Sequence, residues 1–250
     1  MGRSSARRRK LLYRLYHTAW LGIDLLLPPS CGGCGTPGER WCSDCQSRIL
    51  PLTQPLCELC GTPITAEMAR CGDCTHSPPH FRQLRSWCVF DSRIRSALHR
   101  LKYRRDLGLS EALVPHLARH ALSLGWDVDL LAPVPLGQGR LTERGYNQAG
   151  LIAWPLSLAL GIAFAPSAVN RTRETRSQVG LTRAERRANV RDAFEARPSR
   201  VRGRSVMLVD DVATTGATLS SCAEALHAAG ARDVFALTVA RAHRGPSGDA

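Results

Sequence analysis

Apolar residues follow two different spacings in the second half of the chain. Continuous apolar runs such as VMLV at 206–209 are typical of strands buried on both faces, whereas apolar residues three and four positions apart indicate helices. We predict strands at 84–90, 129–135, 204–210 and 233–240, and helices at 92–102, 108–124, 146–160 and 217–229. Strands and helices that alternate in this way predict an α/β fold, in which a parallel sheet is flanked by helices.

The first thirty residues have a helical pattern of their own. It predicts an amphipathic helix that ends at Pro28 and Pro29, with an apolar face made of Leu11, Leu12, Leu15, Tyr16, Ala19, Ile23 and Leu26. Arg14, His17 and Asp24 interrupt the apolar stretch, so we expect neither a cleaved signal peptide nor a membrane span, and a cytoplasmic protein. The helix is expected to pack on its own protein; a membrane surface or a partner helix is the alternative.

Eight of the ten cysteines fall into four CxxC pairs. CGGCGTP at 31–37 returns as CELCGTP at 57–63, and CSDC at 42–45 returns as CGDC at 71–74, so one unit is written twice. Each unit supplies four thiolates, the ligand set of a tetrahedral structural zinc site.

Two groupings of these cysteines are open. In the self-contained grouping one zinc is held by Cys31, Cys34, Cys42 and Cys45 and the other by Cys57, Cys60, Cys71 and Cys74. In a cross-braced grouping the pairs would be exchanged. Disulfides are the alternative to zinc, but we expect a chain without an export signal to stay in a reducing compartment, which disfavours them.

The chain is strongly basic, and nearly all its cations are arginines. Lysine and arginine total 34 against 21 acidic residues, which gives a net charge of +13, and only Lys10 and Lys102 are lysines. Between residues 171 and 204 there are eleven arginines and four acids, so this stretch has a charge of 11 − 4 = +7. Such charge favours anionic partners, including phosphate, pyrophosphate and nucleic acid.

The segment VMLVDDVATTGATL at 206–219 joins a buried strand to the start of a helix. Asp210 and Asp211 stand at the carboxyl end of that strand, where open α/β folds bind ligands. The ATTGAT loop offers backbone N–H groups, hydroxyls and a helix dipole to a phosphate, and Gly216 permits close approach or a positive φ. The carboxylates would repel phosphate, so they should meet sugar hydroxyls or a metal. The pattern predicts a phosphorylated sugar; capping aspartates before an ordinary helix are the alternative.

The same segment resembles the phosphoribosyl pyrophosphate (PRPP) signature of class I phosphoribosyltransferases. APVPLGQGRLTERGYNQA at 132–149 and RTRETRSQVGLTRAERRANVRDAF at 171–194 are similar to segments of the ComF family, although Tyr146 stands where that family usually has phenylalanine. LKYRRD at 101–106 matches a shorter signature of the family. With its cysteines, the chain resembles the ComF family from about residue 20 to residue 240.

The resemblance implies a domain organisation. A basic amphipathic helix would occupy 1–30, a double zinc ribbon 31–80 and a phosphoribosyltransferase-like domain 84–241, followed by a flexible tail at 242–250. The implied fold is the class I phosphoribosyltransferase parallel sheet flanked by helices.

The resemblance also implies roles within the site. Asp210 and Asp211 would hold the ribose 2′- and 3′-hydroxyls as catalytic residues, and the 213–218 loop would bind the 5′-phosphate. The PRPP-binding residues would be Ala213, Thr214, Thr215, Gly216, Ala217 and Thr218. The pyrophosphate loop and the flexible loop would contribute Val134, Pro135, Arg140, Arg144, Arg171, Arg173, Gln178, Arg183 and Arg187. Mg²⁺ would accompany PRPP, beside the two structural Zn²⁺ ions.

Two functions are consistent with these features. In the first, the protein transfers the ribosyl group of PRPP to a nitrogen nucleophile. In the second, it is a non-catalytic module that binds single-stranded DNA or a partner protein, with a regulatory or vestigial PRPP site. The resemblance implies DNA uptake in natural transformation or use of DNA as a nutrient, with other DNA-uptake proteins as partners.

Overall fold

The computed structural model describes residues 2–52, 54–173, 185, 189 and 192–242. Its helices are α1 (Gly2–Leu26), α2 (Ser43–Ser47), α3 (Gly72–His76), α4 (Ser92–Tyr103), α5 (Gly108–Ser123), α6 (Gln138–Arg144), α7 (Gln148–Leu160), α8 (Pro198–Val201) and α9 (Ala217–Ala228). Its strands are β1 (Gln83–Val89), β2 (Leu130–Pro133), β3 (Ala163–Phe164), β4 (Val169–Arg171), β5 (Phe194–Ala196), β6 (Ser205–Ala213) and β7 (Asp233–Arg241). Apart from Ala242, the predicted tail at 242–250 lies outside the described residues.

Five parallel strands form one sheet in the order β1-β7-β6-β2-β3, which confirms the predicted α/β fold. The central strand is β6, where Met207 is aligned with Leu131 of β2 and Phe235 of β7. Its first five residues are buried, as the continuous apolar run predicted. The strand runs to Ala213, three residues further than predicted, so the two aspartates belong to the strand itself. A separate antiparallel pair is formed by β4 and β5.

The sheet has an apolar layer on each face, and half of the cysteine repeat packs into each layer. Val206 and Leu208 of β6 face the layer that contains the α9 side chains together with Cys57, Cys60 and Cys74. Met207 and Val209 face the layer that contains α4, α5 and α7 side chains together with Cys31, Trp41 and Cys45. The cysteine segment therefore shares its core with the sheet.

The two halves of the cysteine repeat have the same local backbone. The N–H of Cys31 donates to the carbonyl of Thr36, and the N–H of Cys57 donates to that of Thr62, both at 2.8 Å. Helices α2 and α3 each begin directly after the first cysteine of the second CxxC pair of their half. The sequence repeat is therefore also a structural repeat.

Helix α1 is present and packs on its own protein, but most of the predicted packing face is wrong. That face is exposed at Leu11, Leu12, Leu15, Ile23 and Leu26. From that face Tyr16 does pack, since its ring centroid lies 4.9 Å from that of Trp154 in α7, and an ion pair between Asp24 and Arg40 adds a second contact. Aromatic and charged contacts thus decide the packing face. Within the described ranges, every helix is too short or too polar to cross a bilayer.

Candidate functional site

The cysteine sulfurs form two compact groups, each suited to one metal ion. The first cysteine cluster is Cys31, Cys34, Cys42 and Cys45, the second is Cys57, Cys60, Cys71 and Cys74, and the sulfurs of each lie within 4.8 Å of one another. The Sγ atoms of Cys34 and Cys42 are 3.7 Å apart, as are those of Cys60 and Cys71. Sulfurs bound at about 2.3 Å to a tetrahedral zinc lie about 3.8 Å apart, so these residues fit zinc. The self-contained grouping is the one that the fold adopts.

A cavity of about 610 Å³, which we call the acid-pair cavity, lies at the carboxyl ends of β2 and β6. The predicted site residues that line it are Val134, Pro135, Arg140, Arg144, Arg171, Asp210, Asp211, Ala213, Thr214, Gly216, Ala217 and Thr218. The turn after β2, helix α6, the end of β4 and the segment after β6 therefore surround one space. Among the described residues, its walls contain four cationic side chains, since Lys102 joins the three arginines, and three carboxylates, since Glu143 joins the two aspartates.

The loop between β6 and α9 is shaped by a glycine. Gly216 has a φ of +77°, a left-handed conformation that other residues adopt only with strain. A Cβ at this position would lie 3.4 Å from Leu84 and 3.5 Å from Phe81, so the loop also lies close against the core. The hydroxyl of Thr215 accepts a hydrogen bond from the N–H of Ala217 at 3.3 Å. The first turn of α9 thus lies at the cavity wall, where its dipole favours an anion.

The acid pair is linked to a lysine from a distant part of the sequence. Lys102, near the end of α4, forms an ion pair with Oδ2 of Asp211. The Asp211 side chain is 5% exposed and that of Lys102 is 23% exposed, so the pair is largely shielded from water. Oδ1 of Asp211 accepts a hydrogen bond from Gln148 Nε2 at 3.4 Å, and Oδ1 of Asp210 accepts one from the Asp211 N–H at 2.9 Å.

Burial and the charges of neighbouring groups shift the pKa values of the two carboxylates in opposite directions. Burial alone would raise the pKa of Asp211, but its contact with the Lys102 ammonium lowers that pKa below the usual carboxyl value. Burial, together with the adjacent Asp211 carboxylate, raises the pKa of Asp210 well above its usual range. Burial would lower the pKa of Lys102, yet Asp211 and Asp210 raise it. The three groups therefore favour a charged Lys102–Asp211 pair beside an Asp210 that is protonated more readily.

Hydrogen bonds through Gln148 connect Arg144, at the rim of the cavity, to the acid pair. Arg144 donates to the side-chain oxygen of Gln148 at 3.0 Å and to the hydroxyl of Tyr103 at 3.1 Å. Its guanidinium also lies 4.8 Å from the centroid of the Tyr103 ring, within the range of a cation–π contact. Arg144 is therefore oriented by two neighbours, one of which contacts Asp211.

The remaining predicted site residues are not among the described residues that line the acid-pair cavity. Thr215 lines a smaller cavity of about 290 Å³, which lies between the loop and the second cysteine cluster. Arg173 donates to the carbonyl of Asn189 at 3.4 Å and is not among the residues that line the acid-pair cavity. Gln178, Arg183 and Arg187 lie outside the described residues.

The acid pair fits poorly as a ligand for the implied Mg²⁺. Magnesium selects oxygen ligands at about 2.0–2.1 Å in octahedral geometry. Both oxygens of Asp211 already have partners, and one of these partners is a cation that would repel a second cation. Within the part of the chain that the structure describes, Asp211 and its neighbours therefore do not form a magnesium site.

The sequence pattern assigns no ligand-binding role to Lys102, Tyr103 or Gln148, although it predicts that Asn147 and Gln148 cap the following helix, which the structure bears out for Asn147. Lys102 and Tyr103 belong to LKYRRD, which was noted only as a family signature, and Gln148 belongs to the RGYNQA run. The available signal was the rarity of lysine, because only Lys102 and Lys10 occur in the whole chain. In a chain so rich in arginine, a lysine is a candidate for a specific contact.

Comparison with known proteins gives matches to both parts of the chain. A double zinc ribbon domain matches residues 22–75, and a phosphoribosyl transferase domain matches residues 151–249. DNA utilization protein YhgH of Escherichia coli O157:H7 is 34% identical over 84% of this chain and 96% of that protein. Competence protein F of Haemophilus influenzae is 31% identical over 80% of this chain and 90% of that protein. Adenine phosphoribosyltransferase from Thermoanaerobacter pseudethanolicus is 20% identical, with a TM-score of 0.36, covering 55% of this chain and 83% of that one.

Proposed function

Because the chain belongs to the ComF family, with a double zinc ribbon and a phosphoribosyltransferase domain, we propose that its acid-pair cavity binds PRPP. The observation that supports this most directly is the meeting of Asp210 and Asp211 with the Gly216 loop in one cavity. Its volume of about 610 Å³ lies within the usual range for small-molecule sites, about 300–1,000 Å³.

In this proposal each wall of the cavity meets one part of the ligand. The start of α9 and Thr214 bind the 5′-phosphate, because N–H groups, hydroxyls and the helix dipole all favour an anion there. The acid pair accepts hydrogen bonds from the ribose hydroxyls. Arg140, Arg144 and Arg171 balance the charge of the pyrophosphate, for which guanidinium groups are well suited. The proposal assigns no acceptor to the anomeric carbon.

The combined substitution Asp210→Asn and Asp211→Asn tests the assignment. Asparagine keeps the shape but replaces two carboxylate acceptors with weaker ones, so the affinity for PRPP should fall by at least about 100-fold. Isothermal titration calorimetry measures this loss, while zinc content and thermal melting report the fold. Asp127→Asn is the matched control, since that side chain is 98% exposed and lies outside the cavity walls. Unchanged PRPP titration in the double variant would refute the assignment.

We also propose that the protein binds single-stranded DNA in the course of DNA processing. The support is the name of two relatives, a DNA utilization protein and a competence protein, together with the charge of +13. A reducing cytoplasm is the compartment that fits this role and keeps eight thiols available for zinc.

Binding to the DNA backbone should depend strongly on salt. If three or more phosphates are neutralised, the affinity for single-stranded DNA should fall about tenfold or more between 50 and 200 mM salt. Fluorescence anisotropy of a labelled oligonucleotide measures this slope. The Asp210→Asn, Asp211→Asn protein should show the same slope, because its changes lie at the sugar site. Salt-independent binding would count against an electrostatic contact.

A further inference from the structure

We propose that the Lys102 ammonium is the resident cation of the acid pair, so that a ribose 5-phosphate group binds there without a divalent metal. This inference rests on the proposed function and specifies how the same site recognises the sugar. It departs from the magnesium requirement that the family resemblance implies.

The first support is the contact itself. Lys102 reaches from the end of α4 to Oδ2 of Asp211, and both side chains line the acid-pair cavity. A divalent ion bound to this carboxylate would have to displace the ammonium into the remaining space of the cavity. Because Asp211 is almost fully buried, leaving it without a nearby cation would be unfavourable. Lys102 therefore supplies the positive charge that the buried Asp211 carboxylate requires.

The second support is the set of hydrogen bonds around the pair. Gln148 holds the other oxygen of Asp211, and the Asp211 N–H holds one oxygen of Asp210. An ammonium group has three N–H donors, and the ion pair with Asp211 uses one of them. Further donors on Lys102 can meet ribose hydroxyl oxygens, while the carboxylates accept from the hydroxyl hydrogens. Lysine and aspartate together can thus satisfy both the donor and the acceptor character of a sugar diol.

The third support is the charge around the cavity. Arg140, Arg144 and Arg171 line it together with Lys102, and the carboxylates that line it are Asp210, Asp211 and Glu143. Counted over the residues that the structure describes, and with all seven groups charged, the walls have a net charge of 4 − 3 = +1. A phosphate monoester therefore meets positive charge supplied by the chain alone.

Ribose 5-phosphate is the probe that isolates this effect, because it has the phosphate and the ring hydroxyls but no pyrophosphate that could bring its own metal. Titration calorimetry should be done in buffer passed over a chelating resin, with and without added Mg²⁺. A soluble chelator such as EDTA is avoided because it would remove the structural zinc. We expect dissociation constants that agree within about twofold in the two buffers, a difference well below the 1.4 kcal/mol that corresponds to tenfold.

Variants at the two lysines complete the test. Lys102→Met should weaken ribose 5-phosphate binding about 10- to 100-fold in metal-free buffer, the effect expected for one charge-assisted hydrogen bond. Lys10→Met, at an exposed position of α1, makes the same chemical change and should leave affinity unchanged. Melting curves and zinc content show whether each variant is folded.

The outcomes are distinct. Wild-type binding of ribose 5-phosphate only in the presence of Mg²⁺ would overturn the role of Lys102 while leaving the sugar site in place, and this result needs no variant to fold. Folded Lys102→Met protein with wild-type affinity in metal-free buffer would overturn it too. Absence of binding by both ribose 5-phosphate and PRPP in either buffer would refute the proposed function itself.

Discussion

Replacing Cys74 by serine is expected to remove one zinc ion, unfold the second cysteine cluster and lower the melting temperature. A serine hydroxyl cannot replace the fourth thiolate, and a structural zinc site contributes about 10–16 kcal/mol of binding free energy in small modules. The effect should spread beyond the cluster, because Cys74 is 5% exposed and belongs to the same buried layer as Phe81 and Leu84. Zinc released on denaturation, measured with a colorimetric chelator, should fall from two ions per chain to one, in line with the two clusters.

The same substitution should also weaken PRPP binding. Arg241, at the end of β7, donates to the Cys60 carbonyl at 2.6 Å, so the second cluster is attached to the carboxyl end of β7, next to β6. The cavity of about 290 Å³ next to the loop between β6 and α9 is lined by Cys74, Arg241, Thr214 and Thr215. Loss of the cluster therefore removes support from one side of that loop.

Two other cysteine variants separate metal loss from general damage. Cys34→Ser should also release one zinc, this time from the first cluster, which packs on the opposite face of the sheet. Cys88→Ser should keep both ions, since Cys88 lies outside the clusters and its thiol donates a hydrogen bond to the carbonyl of Val239 at 3.3 Å. A folded Cys74→Ser protein that retains two zinc ions would contradict the assigned ligand set.

The features that could be predicted from the sequence are those whose residues lie close together along the chain. Four CxxC pairs in a repeated unit define eight ligands without knowledge of the fold, and the apolar run of β6 identifies a doubly buried strand. The loop at 213–218 could be recognised because its hydroxyls, glycine and following helix are contiguous. By contrast, β3 and β4 contain only two and three residues, too few for an apolar spacing to emerge.

The features that sequence could not predict depend on contacts between distant segments. The packing of α1 depends on the contacts of Tyr16 with Trp154 and of Asp24 with Arg40, and these pairings cannot be deduced from the spacing of leucines. In the same way, two adjacent aspartates predict a contact with sugar hydroxyls or a metal, but they do not indicate a cation of the chain itself. Only the fold brings the end of α4 to the end of β6, and so places Lys102 against Asp211.

Lys102→Met is expected to lower the free energy of unfolding by about 3 kcal/mol, the lower end of the range for removing one partner of a buried ion pair. The lower end applies because Lys102 keeps 23% of its side chain exposed, whereas Asp211 keeps 5%. The cost arises mainly from the Asp211 carboxylate, which would remain buried without its cation. Denaturant unfolding of the zinc-loaded protein measures the change.

A double-mutant cycle with Asp211→Asn identifies the origin of that cost. In the combined variant neither charge remains, so it should be more stable than Lys102→Met alone. The two substitutions together should lower the free energy of unfolding by less than the sum of the two single effects. The difference between wild type and Lys102→Met should also shrink as the pH falls towards and below about 4, the ordinary aspartate pKa. The sign follows because Lys102 lowers the pKa of Asp211, so its stabilisation is present at neutral pH and is lost when acid protonates Asp211. Additive effects that do not change with pH would mean that methionine acts through packing, and that the ammonium does not stabilise the acid pair.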